Sequence, residues 1–517
     1  MRCCCCGKLG RLVLLLAAVL ASALVLAVAF LVTDDGVHAR AGSSGPDVFV
    51  SDIFSTVRFG SDQGISAYAL GTRSCNAGDV PISWQATSSA HPVKGQGLFR
   101  YEDGRFEMLG MSWLLHGFCA LDVSGCGTCT PAPCDALGTG CATENSAPIQ
   151  GSQAQLGGRF EVDASTGAFV FPPSSPPIQS LIDRRLQVRE SEIDPALHPD
   201  AAYFVEAVQV AADDAAAGNG GNGASHREVT FSAAPNYGMS LVGATLGGEP
   251  AILAWAAIDP EVRLSRVSID ADGEVLVGSR CTPNGDGTWH YEYAVYNLSS
   301  HRSVGRFTIP LPEGLAIANP GFHDVDYHSG SPIDGTDWAP ATSATSIEWS
   351  TAAFGDDPNA NAIRWSTLYN FRFDAAAPPA VGLGTLGLFR PGTPDEVVFE
   401  GCIPSPFSIE LRAASTEVPP GGDLEFDVTV TNLSSASGST TAWIDVTKPN
   451  GQPYGGNPIV GPKAATLGAG RTLTRSIRLR IPARIPPSGP YTVTGRLGDF
   501  PAGASIESSF EFTVATP

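Results

Sequence analysis

The chain has 517 residues, of which 43% are hydrophobic and 16% charged, with a formal net charge of −21. That composition excludes a disordered chain, and the length allows two to four domains with cores of their own. The acidic balance excludes nucleic acid and anionic lipid as partners and suits a soluble, exported body.

Arg2, Lys8 and Arg11 precede Leu12–Val32, a run without a single charge. A basic start followed by an apolar run is an export signal, and this run is long enough to span a bilayer. Ala39-Arg40-Ala41 is an A-x-A-like cleavage site just beyond it. Residues 1–41 therefore read as either a cleaved signal peptide or a retained N-terminal anchor. Both place the remainder outside the cytoplasm, with the membrane met only through this segment.

Residues 46–226 read as a cysteine-rich β domain. Phe99–Met111 has the pattern of a hairpin with Asp103-Gly104 as its turn. Met111–Gly158 follows, with Cys119, Cys126, Cys129, Cys134 and Cys141 set among Gly, Pro and Thr. Neither helix nor strand runs through such a composition, so covalent bonds or a metal must fix its shape. Arg159–Phe171 is a second candidate hairpin, Ile178–Glu192 a short helix, Tyr203–Val210 a strand and Ala211–Ser225 a Gly- and Asn-rich loop.

Residues 227–400 read as a middle β-sandwich domain. Asp270–Gly273 and Asn284–Gly287 supply turns, and Trp289–Asn297 a strand. In Ile363–Phe373, Ile363, Trp365, Tyr369, Phe371 and Phe373 fall on one face, with Arg364, Ser366, Asn370 and Arg372 on the other. That period of two predicts a sheet with one buried face. Residues 405–517 show the same alternation, for example Leu424, Phe426, Val428 and Val430, over about seven strands. They read as an immunoglobulin- or fibronectin-like sandwich.

Gly64–Asp79, Phe118–Gly158 with its LGTGC core, Tyr203–Ser225, Trp289–Arg302 and Asn359–Phe373 together resemble an uncharacterised family of exported proteins from environmental bacteria with large genomes. The likeness covers most of residues 50–400, and the last domain is similar to generic secreted sandwich modules. The resemblance implies export and a β-rich architecture, and it carries over no catalytic residue.

Beyond the membrane segment stand eight cysteines: Cys75, the five of the central stretch, Cys281 and Cys402. An even number in an exported chain reads as disulfides. Cys281 and Cys402 bracket the middle region and are expected to pair. The alternative for Cys126-x2-Cys129-x4-Cys134-x6-Cys141 is structural zinc, although the usual second Cys-x2-Cys knuckle is missing.

In an extended His323–His328 segment, Asp324, Asp326 and His328 project to one face. They are the candidate ligands of a divalent cation, with Asp334 and Asp337 as further oxygen donors. The competing reading is a polar strand end running into a turn at Ser329–Asp337. Asp213, Asp214 and Asn219 form a weaker calcium-loop candidate. Glu292 and Glu348, near Trp289 and Trp349, are the one pair of acids that suggests a glycosidase. No G-x-S-x-G, H-E-x-x-H or P-loop motif occurs.

The sequence thus predicts an all-β, multidomain chain that includes a C-terminal immunoglobulin-like sandwich and an N-terminal hydrophobic helix. Its expected role is non-enzymatic, a binding or structural protein of the cell surface or envelope, with an unknown surface ligand as partner. No cofactor beyond the candidate divalent cation is expected. An extracytoplasmic hydrolase of polysaccharide or peptide and a metal-dependent adhesin are the alternatives.

Overall fold

The structure, a computed structural model, describes residues 44–133, 135–485, 488–498, 500–501 and 505–515. The export segment at 1–41 and Cys134 lie outside the described residues. Among those described, no helix is long and apolar enough to cross a membrane. The chain is almost all-β, built from several sandwich-like sheets.

Four sheets stack on one another between residues 44 and 404. The first is five-stranded and built on a long hairpin, Val48–Asp62 with Ile65–Asn76. The second is seven-stranded and centred on Val93–Glu102 paired with Ala202–Val210. The third and fourth have five strands each. The third is centred on Trp289–Asn297 and Thr367–Ala375, the fourth on Val304–Pro310 and Pro379–Leu388.

Strand parity shows why the layers stack. In Ala202–Val210, Tyr203, Val205 and Ala207 join Leu98, Tyr68 and Leu70 in the core between the first and second sheets. Phe204 and Val208 point the other way, into a core shared with the third sheet. Both faces of this strand are apolar, so it is covered on both sides. The third sheet repeats the arrangement. Tyr291, Tyr293, Phe371 and Phe373 face Phe307, Trp349 and Phe399 of the fourth sheet, where Phe307 and Phe371 stack with centroids 4.3 Å apart. Tyr296, on the opposite face, reaches Phe99 of the second sheet at 6.3 Å.

One buried cluster therefore crosses position 227, joining Phe99, Phe106 and Phe204 to Tyr296, Tyr369 and Phe371. Polar contacts cross it too: Asn370 Nδ2 donates to Phe106 O (2.9 Å), and Tyr296 Oη donates to the buried Glu206 carboxylate (2.6 Å).

Several local expectations change. The Ile178–Glu192 helix does not form. Its end is the strand Leu186–Arg189, which adds to the edge of Ile65–Asn76, followed by a 3₁₀ turn at Glu190–Glu192. Backbone pairing and the burial of Leu186 and Val188 outweigh helical spacing. Ala211–Ser225 contains a short helix, Ala212–Ala216, before a strand opens at Ala224. In the segment 363–373 the strand begins only at Thr367, and both faces are buried: Asn370 is 0% and Arg364 8% exposed.

The Asp103-Gly104 hairpin forms, with both turn residues at positive φ (51° and 80°), as a twist-matched two-residue turn requires. Residues 407–514 form a separate sandwich of a three-stranded and a five-stranded sheet. Phe426, Val428, Val493 and Phe512 lie in its core.

Three disulfides occur among the described residues. Cys75–Cys126 and Cys129–Cys141 tie the cysteine-rich loop to the first sheet, and Cys281–Cys402 joins the third sheet to the fourth. Cys119 is exposed and unbridged among the described residues.

Candidate functional site: a cationic cleft between the two halves

Where the second and third sheets part, a cleft opens with a cavity of about 100 Å³. One water requires roughly 10–15 Å³, so the space suits a small molecule. Met111, Trp113, Arg159, Phe160 and Val162 form one wall. His301, Ser303, Tyr327, Arg364, Trp365 and Arg390 form the other.

Arg159 holds the floor together. Its Nε donates to Ser112 O (2.6 Å), Nη2 to Gln96 O (2.6 Å), and Nη1 to Ser366 O (3.0 Å) and Oγ (2.7 Å). Burial lowers its guanidinium to about 10, yet it stays protonated near neutral pH. The Ser366 backbone turns through φ 56° to meet it, an unfavourable region for a residue with a side chain. That turn sets Trp365 beside Arg159, whose backbone O accepts the indole N–H at 3.1 Å. Ser303, also lining the cleft, stands at φ 60°. Left-handed backbone at non-glycine positions persists only where the surroundings impose it, and it gathers at functional sites.

The opposite wall carries the charge. Phe389 N donates to Ser303 O and Arg390 N to Arg302 O, which aligns the 301–303 and 389–390 segments. Arg390 Nε then donates to His301 O (3.0 Å), and its guanidinium lies 5.2 Å from the Phe354 ring centre. Arg364 Nη2 donates to Pro358 O and Ala360 O (both 2.9 Å), and its guanidinium lies 4.6 Å from the Phe389 ring centre. Arg364 Nε is buried without a hydrogen-bond partner.

Burial lowers Arg364, Arg390 and His301 from their ordinary values. The positive charge of Arg390 adds to this at Arg364, and both guanidiniums add to it at His301. Among the described residues neither arginine forms an ion pair. Asp163 and Asp272 act on Arg390, and Asp357 on Arg364, only from beyond ion-pair distance, and the first two also hold hydrogen bonds of their own. Asp163 Oδ1, 3.8 Å from His301 Nδ1, accepts from Ser165 N (3.0 Å) and Ser165 Oγ (2.7 Å). Asp272 accepts from His301 N (3.0 Å) and Arg302 N (3.2 Å).

The residues singled out from the sequence take other places. Asp324 accepts from Asn361 Nδ2 (2.5 Å), and burial pushes its carboxyl up to about 6. Asp326 pairs with Arg189 (2.6 Å). His328 Nε2 bonds Met111 O (2.9 Å) and Nδ1 bonds Ser329 Oγ (2.8 Å). The three are thus engaged with separate partners, Asp326 and His328 across the junction of the halves. Among the described residues no group of three or more His, Cys, Asp or Glu is placed to hold a metal ion.

Cys126, Cys129 and Cys141 stand in disulfides, which removes three thiolates from the zinc reading. Asp214 accepts from Val48 N and Asn219 donates to Pro46 O, which fastens the start of the first strand, while Asp213 accepts from Ser83 N in the short strand Ile82–Ser83. Glu292, in the third sheet, pairs with Arg105 of the second, and Glu348 accepts from Thr308 Oγ1 within the fourth, so the two acids belong to different sheets and different networks.

Sequence reading missed the cleft because its lining comes from distant segments of the chain. Arg364 within an aromatic-rich stretch was the available signal, but alternation placed it on a solvent face.

No family model and no curated protein matches the chain. Among solved structures it is similar to the CARDB domain of the PF1109 protein from Pyrococcus furiosus, in complex with di-metal ions. That match is 16% identical, covers 21% of this chain and 87% of the other, and has a TM-score of 0.17. A Listeria innocua beta-glucosidase in complex with glucose is 18% identical over 21% of this chain and 16% of its own, TM-score 0.16. A Bacteroides uniformis beta-glucuronidase is 13% identical over 44% of this chain and 26% of its own, TM-score 0.18. Superpositions this shallow transfer neither ligand nor activity to this chain.

Proposed function

We propose that the chain is an extracytoplasmic binding protein that holds a small ligand in the cleft between its second and third sheets. The observation that carries this reading is the cleft itself, walled by both halves and lined by Trp113, Phe160 and Trp365 beside Arg364, Arg390 and His301. Apolar walls with a few convergent polar groups are the ordinary equipment of a ligand site. The disulfides support a location in an oxidising compartment. The surrounding sheets supply rigidity, since the loops and 3₁₀ turn that carry the site run directly into buried strands such as Arg105–Met111 and Thr367–Ala375.

A thermal-shift screen of small organic acids, sugars and neutral aromatics tests the proposal. A ligand that binds only the folded state raises Tm in proportion to its concentration over Kd. Ser331 also lines the cleft, and at least one class is expected to raise the Tm of the wild type and to lose that effect in Ser331→Phe, which sets a ring into the lining. A screen without any shift, or shifts unchanged by S331F, would contradict it.

A further inference from the structure

We infer that the cleft is an anion site, and that its ligand is a small carboxylate carrying a flat apolar body. The inference rests on the binding reading above and names the ligand class.

Two guanidiniums, Arg364 and Arg390, converge on a wall of a protein whose net charge is −21, with His301 beside them, its imidazole held below its ordinary value and so a neutral neighbour near pH 7. Several guanidiniums of this acidic chain pair with carboxylates, as Arg58, Arg73, Arg100, Arg105 and Arg189 do. Arg364 and Arg390 do not, although each is removed from water enough to lower its basicity. Clustered, partly desolvated cations repel one another, and that arrangement costs stability unless a counter-charge enters.

The chain's own acids, Asp163 and Asp272 near Arg390 and Asp357 near Arg364, act on this wall only from beyond ion-pair distance. Asp163 and Asp272 hold backbone N–H groups of turns, and the cleft lining contains no Asp or Glu. What the arginines do have is fixed orientation. Arg364 is tied to Pro358 O and Ala360 O, and Arg390 to His301 O. Both also lie against aromatic rings. Arg390, tied only through Nε, keeps its Nη1–Nη2 edge for a planar acceptor, which a carboxylate matches in two parallel bonds, and Arg364 offers the N–H groups of Nη1 beside it. Trp113, Phe160 and Trp365 supply the surface on which a flat apolar body lies. Cavity size limits that body to about one ring.

Calorimetric titration of the full chain with benzoate and with its neutral isostere benzamide tests the inference. Benzoate is expected to bind at least about tenfold more tightly, the worth of one charge-assisted hydrogen bond. Arg390→Met should lose that preference. As a check independent of any variant's folding, raising salt from about 0.05 to 0.5 M should weaken benzoate and leave benzamide unchanged. Equal affinity for the two probes, or a salt-insensitive benzoate affinity, would overturn the anion inference and leave the binding reading standing. If neither probe binds while neutral compounds in the screen shift Tm in an S331F-sensitive manner, the anion inference alone falls. If neither binds and the screen is silent, both fall.

Discussion

The four-sheet stack and the C-terminal sandwich solve the same problem, burying apolar sheet faces, in opposite ways. In the sandwich, Leu424, Phe426, Val428 and Val430 face inward while Glu425 and Asp427 stay exposed. Its ion pairs lie at the surface, as between Arg478 and Glu425. The stack buries both faces of its central strands. Arg159, Glu206 and Lys94 are consequently trapped inside, at 7%, 0% and 2% exposure. The difference teaches where function can arise. A two-layer sandwich has only loops and rims to offer, whereas a junction between stacked layers can hold polar groups out of water, and the cleft sits at such a junction.

The comparison is most severely tested in the stack's aromatic core. Phe371→Ala removes a fully buried ring packed on Phe307, Trp338 and Trp349, and should cost about 3–5 kcal/mol. In denaturant titration the stack's transition should move and the sandwich's should not. Removing the staple between the third and fourth sheets with Cys281→Ser and Cys402→Ser together should cost about 2–4 kcal/mol, again from the stack alone.

The pH dependence of stability comes next. Burial raises the Glu206 carboxyl from 4.5 to about 7. Between those values the folded chain holds a proton that the unfolded chain releases. The stabilisation is present in full below pH 4.5 and is lost as pH rises to 7, on the order of 2–3 kcal/mol. Glu206→Gln should remove that component from the stack's stability–pH curve and leave the sandwich's unchanged. At the small end, Arg478→Ala breaks an exposed pair in the sandwich, and its transition should move by less than about 1 kcal/mol.

The same contrast explains what could be read from the sequence. Strict alternation from Leu424 to Val430 identified the sandwich because one of its faces is wet. Asp103-Gly104 identified its hairpin because that turn demands positive φ at both positions. Alternation misled in the stack, where Arg364 and Asn370 are polar yet covered by a second layer. Leu181, Ile182, Leu186 and Val188 have helical spacing, but the exposed edge of Ile65–Asn76 recruits Leu186–Arg189 as a strand. Pairing of Cys281 with Cys402 was legible because the two bracket the middle region. The cleft was not, since Trp113, Arg159, His301, Arg364 and Arg390 meet only through layer stacking, a long-range event that local pattern does not encode.

The central claim is that the two halves on either side of position 227 share one core and so form the cleft as a unit. Scanning calorimetry of Phe106→Ala beside Phe371→Ala tests it most directly. Phe106 belongs to the second sheet and Phe371 to the third, and both are fully buried in the shared cluster. The account predicts that both substitutions lower the same endotherm, with the sandwich's transition fixed. If Phe106→Ala lowers one endotherm and Phe371→Ala another, the halves unfold separately and the cleft is only a gap between neighbours.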